Sequence, residues 1–202
     1  MVESASRAVP VIAAGVQQLG LRPLDPLLLE RIGASQAGLD MDFRNTQVKG
    51  LSNCRILNLS RQAQRLSLET QCSVQLGGEY RLGGRLLVLP VEGEGRYRIR
   101  IQDIVVKLEL GVGVERRGAH EHWRLASWRH SARVLTGADF HFQNLFRGNK
   151  QLSDAVHQFA NSNWREIFQE VAPPIVKAVV AGVVEETSKL FEKVPLSELI
   201  LD

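Results

Sequence analysis

The chain has 202 residues, 44% hydrophobic and 23% charged, a balance that excludes wholesale disorder and leaves enough apolar material for a core without a metal or disulfide scaffold. Two cysteines are too few for a disulfide-dense mini-protein, and 17 glycines with 7 prolines exclude collagen-like or Pro-rich repeats. The net charge of +3 is spread along the chain without the concentrated basic face that nucleic-acid binding requires, so no nucleic-acid partner is expected.

Residues 3–30 read as helical and then extended. The apolar run Ala8 to Val16 is short, contains Pro10 and lacks a charged leader, so it is a poor signal peptide. Pro23 and Pro26 push Arg22 and Asp25 into extended conformations. Gly33-Ala34-Ser35-Gln36-Ala37 is one residue away from a nucleophile elbow. An elbow must open a helix, and Leu39 to Phe43 alternate like a strand instead.

Residues 31–147 read as strands. Leu66, Leu68, Thr70, Cys72, Val74 and Leu76 share one parity, the period of a strand face. A turn is expected at Gly77-Gly78, with the pattern resuming from Tyr80 to Leu89, and Gly93-Glu94-Gly95 reads as a tight connection. Arg96, Arg98 and Arg100 alternate with Tyr97, Ile99 and Ile101 and mark the wet face of a half-buried strand. Buried parity then shifts from odd to even by Ile104, which one extra residue near Asp103 explains; that is a β-bulge, and bulges bend strands. Long, strongly curved antiparallel strands follow.

A hairpin symmetric about Ala63 sets Cys54 opposite Cys72, close enough for a disulfide in a favourable position; buried free thiols are the alternative. Asn58-Leu59-Ser60 near the hairpin tip is an N-glycosylation sequon. His120 and His122 share a strand face, with His130 at the same parity, but no third and fourth ligand stand nearby, and surface histidines are expected rather than a metal site.

Residues 150–193 have helical spacing. Asn149 or Ser153 is the expected cap, and Pro173-Pro174 must break or kink the helix. From Ile175 to Val184 the helix is apolar on nearly every side, as in helices surrounded by protein. No segment reaches the roughly 20 apolar residues a membrane span needs. The fold class expected is α+β: one domain over 1–202, with a long C-terminal helix wrapped by a highly curved antiparallel sheet. No Ser-His-Asp set, activated Cys-His pair or dinucleotide fingerprint is present, so neither an enzyme nor a cofactor is expected. Phe140, Phe142, Phe146, Phe159, Phe168 and the tryptophans 123, 128 and 164 either fill the core or line an apolar cavity.

Several ordered stretches resemble the takeout and juvenile-hormone-binding protein family of insects. Leu24-Asp25-Pro26-Leu27 is similar to its L-D-P-L, and Val48-Lys49-Gly50-Leu51-Ser52 to its V-x-G-L-S. The stretch from Gly78 to Gly95, with Tyr80, Gly84, Leu87, Leu89, Pro90, Gly93 and Gly95, is the most specific match. Asn144 to Leu152 resembles N-L-F-x-G-N-x-x-L, and Asn161-Ser162-Asn163-Trp164 resembles N-x-N-W. The resemblance covers nearly the whole chain. It implies a tubular lipid-binding unit that carries a small hydrophobic ligand outside the cell, without catalysis. It also implies a signal peptide and a cysteine pair ahead of Met1, and hence a longer native product. Cys54 and Cys72 are not the family's usual pair.

The function expected is therefore a secreted, monomeric carrier of a juvenile-hormone-like terpenoid or other lipid, without stable membrane insertion. A surface-acting interaction protein with a filled core and a membrane lipid-transfer module are the alternatives. Ligand-facing residues expected on the helix are Leu152, Val156, Phe159 and Ile167 before the kink and Val179 and Val183 after it. On the last strand they are Phe140 or Phe142. Leu145, Phe146 and Trp164 are assigned to the strand-to-helix corner.

Overall fold

A computed structural model describes residues 2–199. Helix α1 (Val2–Ala14) leads into six antiparallel strands: β1 (Leu27–Gln36), β2 (Leu39–Lys49), β3 (Arg55–Gln62), β4 (Arg65–Leu86), β5 (Leu89–Arg117) and β6 (His120–Phe142). The last three have 22, 29 and 23 residues, several times the usual strand length. The sheet runs β1-β2-β4-β5-β6, and β3 shares the same edge of β4 with β2, the two lying end to end. A sheet this long must curl, and it forms a half-barrel around the C-terminal helices α2 (Lys150–Ser162), α3 (Trp164–Val171), α4 (Pro173–Lys193) and the short α5 (Leu196–Leu199). Helix α4 packs on both β6 and β1 and so closes the open side of the tube. At the β1 seam the absence of a side chain on Gly182 admits the Leu27 and Leu29 methyls; a Cβ there would sit 3.1 Å from Leu27.

The bulge stands at Asp103, with register shifts in both neighbouring ladders and a positive φ of 55°. Its backbone N–H donates to Ser73 Oγ (3.1 Å), while its carboxylate accepts from Gln71 Nε2 (2.8 Å) and Thr136 Oγ1 (2.6 Å). One residue thus ties β4, β5 and β6 at the point where they bend. Arg96, Arg98 and Arg100 are exposed and Tyr97, Ile99 and Ile101 are buried, as the alternation requires.

The glycine pairs play a different part from the one expected. Strand β4 runs straight through Gly77-Gly78, and Gly93 and Gly95 lie inside β5; the actual connection is Leu87-Val88. These glycines are crossing points. At Gly78 a Cβ would lie 2.6 Å from the Arg44 carbonyl oxygen, where β2 bulges across β4. At Gly93 it would lie 2.8 Å from Tyr80 Oη and 3.0 Å from Leu145 Cα, because the corner after β6 folds back over β5 and bridges it.

The β3–β4 hairpin is also not symmetric about Ala63. Its turn is Ala63-Gln64, and a bulge between Ile56 and Asn58 shifts the register by one, so Arg55 pairs with Gln71 further on. Two deviations cancel, and Cys54 and Cys72 meet as a disulfide with Cα atoms 4.4 Å apart. Asn58 is exposed on β3.

The helix expected over 150–193 is three helices. Asn149 caps the first, its Oδ1 accepting from Leu152 N–H. The first break is at Asn163, whose side-chain amide donates to the Phe159 carbonyl (2.8 Å) while its backbone leaves the helical region. The second is at Ala172, where Pro173-Pro174 starts a new helix bent by 65°. His122 is buried rather than on the surface, with Nδ1 unpartnered; His120 is exposed. Glu186, 1% exposed, accepts from the Arg22 backbone N–H (2.9 Å), Arg22 Nε (2.7 Å) and Lys189 Nζ (2.8 Å), fastening the segment after α1 onto α4. Burial works against its charge, and these donors outweigh it to hold the carboxyl below the ordinary glutamate range.

Candidate functional site

Where the helices bend, they stand off the sheet and enclose an apolar cavity of about 70 Å³. Its floor is sheet: Leu39, Met41 and Phe43 from β2, Leu76, Leu82 and Leu86 from β4, Val91, Ile99 and Ile101 from β5, Phe140 and Phe142 from β6. Its roof is helix: Val156, His157 and Ala160 from α2, Ile167, Phe168 and Val171 from α3, and Ala172, Ile175 and Val176 around the kink. Leu145, fully buried, closes the corner. The kink at Pro173 lets both sides of the bend face one space.

Four of the residues expected to face a ligand stand on this wall: Val156, Ile167, Phe140 and Phe142. Four do not. Leu152 is 47% exposed, and Phe159, Val179 and Val183 pack against the core elsewhere. The breaks at Asn163 and Ala172 reset the helical phase, so α4 buries Val176, Val180 and Val184 instead of the Val179 stripe. Ala160, Phe168, Val171 and Val176 are among the wall residues not expected to face a ligand, and Leu145 belongs to the wall as well as to the corner.

The polar groups around the cavity are spoken for. At one end Phe43, Tyr97, Phe142 and Tyr80 form a continuous aromatic stack, with neighbouring centroids 4.7, 6.0 and 4.9 Å apart. Tyr97 Oη is hydrogen bonded to Thr46 Oγ1 (2.7 Å), which is fully buried. Tyr80 Oη donates to the Gln143 carbonyl (2.6 Å). Burial pushes both phenols up to about 12, so they stay neutral. His157 is the one lining residue with a polar side chain, and its Nε2 accepts the Phe142 backbone N–H (2.9 Å). An imidazole that accepts at Nε2 carries its proton on Nδ1, which faces Ser153 Oγ at 3.4 Å. Among the described residues no group of three or more His, Cys, Asp or Glu is placed to hold a metal ion. No single helix among them is long and apolar enough to cross a membrane.

A sheet curled around bent helices, with an apolar pocket between the two, defines the class of tubular half-barrel folds. The family model described as haemolymph juvenile hormone binding protein matches residues 1–201, and the chain belongs to that family. The crystal structure of Takeout 1 from Epiphyas postvittana superposes with a TM-score of 0.96 at 26% identity, covering 98% of this chain and 93% of that one. The circadian clock-controlled protein daywake of Drosophila melanogaster is 26% identical over 126 residues, and its Drosophila yakuba counterpart 24%. Those matches cover 62% of this chain and 48% of each relative, so the chain spans about half the length of the curated relatives it matches.

Proposed function

We propose that the chain is an extracellular, non-enzymatic, monomeric carrier of a small hydrophobic molecule, a juvenile-hormone-like terpenoid or another lipid, bound between the bent helices and the sheet. The observation that carries this reading is the cavity wall, apolar at every residue except His157. Transfer of an apolar ligand into it gains about 25 cal/mol per Å² removed from water, and the one polar side chain on its wall, His157, already has its hydrogen-bond partner. Membership of a family of haemolymph binding proteins supports both carriage and secretion. On this reading Cys54–Cys72 is a disulfide kept in an oxidising compartment, and exposed Asn58 is an acceptor for glycan.

Pockets for drug-sized ligands measure roughly 300–1,000 Å³. A cavity of about 70 Å³ must therefore widen, and Met41 and the bend at Ala172 are the adaptable parts of its wall. The same small volume favours the second reading, a filled core acting through its surface. Native mass spectrometry of protein secreted from a eukaryotic host separates the two. A stoichiometric co-purified lipid, displaced by the neutral apolar dye N-phenyl-1-naphthylamine, supports the carrier. A ligand-free protein that takes up no dye overturns it in favour of the filled core.

A further inference from the structure

Strand β6 is the last in the sheet, so its outward N–H and C=O groups have no strand to pair with. Along the cavity wall, two side chains of α2 take the place of that strand. Asn161 accepts from Phe140 N–H at Oδ1 (2.8 Å) and donates from Nδ2 to Phe140 C=O (3.3 Å). One turn earlier, His157 Nε2 accepts from Phe142 N–H (2.9 Å). The helix is thus pinned to the sheet edge at two points, both beside residues of the cavity wall. The Asn161 pin has no charge to change. The His157 pin exists only while the imidazole is neutral, because a protonated Nε2 is a donor facing another donor.

We propose that the His157–Phe142 hydrogen bond is an acid-sensitive latch on the ligand portal between α2 and the free edge of β6. Protonation of His157 removes the acceptor, α2 swings on the remaining Asn161 pin, and the cavity opens. The reading rests on the carrier function proposed above and names its regulation.

The surroundings fit a latch that holds near neutrality and yields in mild acid. His157 is half-buried, its ring stacked on His141 with centroids 5.3 Å apart and planes 17° apart. Burial first, and the His141 charge second, lower its pKa; Ser153, Asp154 on α2 and Asp139 on β6 work the other way without prevailing. The neutral, latched form is therefore favoured in the folded chain. A histidine lowered in this way contributes stability that is intact above its ordinary value of about 6.5 and lost as the pH falls from there through its folded pKa.

Two readouts on the full chain test this. The first is the protection factor of the Phe142 amide, corrected for intrinsic exchange. The second is the dissociation rate of N-phenyl-1-naphthylamine, which stays uncharged throughout. In the parent both opening and release should rise about tenfold between about pH 7.5 and about pH 5.5, the span in which an imidazole charges. His157→Gln keeps an acceptor that does not titrate and should flatten both profiles at the slow, protected end. His157→Phe keeps a ring without an acceptor and should be open and fast at every pH. An unchanged pH dependence in His157→Gln overturns the latch. So does a parent in which amide protection falls while dye release does not follow. If no dye binds at any pH yet protection still falls in the parent alone, the carrier reading fails and the latch between α2 and β6 stands. If protection does not fall, the latch fails whatever the dye does.

Discussion

The carboxylate of Asp25 and the hydroxyl and backbone N–H of Ser52, 27 residues apart, form one clamp. Asp25 accepts from Ser52 N–H at 2.9 Å, from Ser52 Oγ–H, and from Gly50 N–H at 3.1 Å. Gly50 must be glycine there: its φ is 101°, and a Cβ would meet the Ser73 carbonyl oxygen at 2.4 Å. The Leu24-Asp25-Pro26-Leu27 and Gly50-Leu51-Ser52 stretches, separate in sequence, are therefore the two halves of a single joint.

That joint makes Asp25→Ala costly. Burial opposes the charged carboxylate, but the Ser52 and Gly50 donors and the nearby Lys49 outweigh it and hold the group below its ordinary value. A carboxylate lowered in this way contributes stability present above its unfolded value and lost as the pH falls through its folded one. Charged hydrogen bonds of this kind contribute about 1.5–3 kcal/mol each before the loss of neighbours is counted. Urea unfolding should show Asp25→Ala destabilised by about 2 kcal/mol at neutral pH. The gap should shrink in strong acid. A gap that is constant with pH would place the effect in packing instead.

Gly93→Val should destabilise far beyond an ordinary strand substitution. Its side chain would push against Tyr80 Oη and the Leu145 backbone, neither of which can retreat without opening the corner. Overpacking of this sort costs about 1–3 kcal/mol. Gly83, with open space where its Cβ would be, is the control: Gly83→Ala should melt within a few degrees of the parent.

Removing the disulfide with Cys54→Ser and Cys72→Ser together should cost about 3 kcal/mol, the closure entropy of a loop spanning 18 residues. The comparison is thermal melting of the double variant with the parent, in the absence of reductant. The parent under reductant should fall towards the variant.

Wall and non-wall residues on one helix should separate in dye titration. Ala160→Leu projects three more carbons into the cavity and should weaken N-phenyl-1-naphthylamine about tenfold or more, the scale of a filled site, with the melting temperature held or raised. Phe159→Ala, one residue earlier and off the wall, should lower the melting temperature while leaving dye affinity within about twofold. The reverse pattern would return the cavity to the Phe159 face.

What was legible in the sequence, and what was not, divides along a physical line. Period-two alternation is local, so the curved strands, the bulge at Asp103 and the wet face of Arg96, Arg98 and Arg100 could all be read. Helical phase is cumulative, and one break displaces every residue after it. Asn163, whose side chain joins its own backbone N–H on the Phe159 carbonyl while its backbone leaves the helical region, is such a break, and spacing alone does not show it. The roles of Gly78 and Gly93 were hidden for another reason. A glycine needed for a turn and one needed for a close crossing look alike until the crossing segment, Arg44 or Leu145, is in place. His157 went unread because its partner is a backbone group on another element.

The position of α4 across the open side of the half-barrel has a consequence for life in a concentrated fluid. Strands β1 and β6 end the sheet with rows of unpaired backbone groups, and such edges recruit strands from neighbouring molecules. Closing the sheet on itself is the usual cure. Here the curl stops short of closure, leaving an interior that is not sealed by hydrogen-bonded strands, and helices with their side chains stand in for the missing strands. The two edges are kept from templating aggregation by the same elements that roof the cavity. Resistance to self-association and access to the interior are therefore coupled: whatever lifts the helices to admit a guest also, for that interval, uncovers an edge.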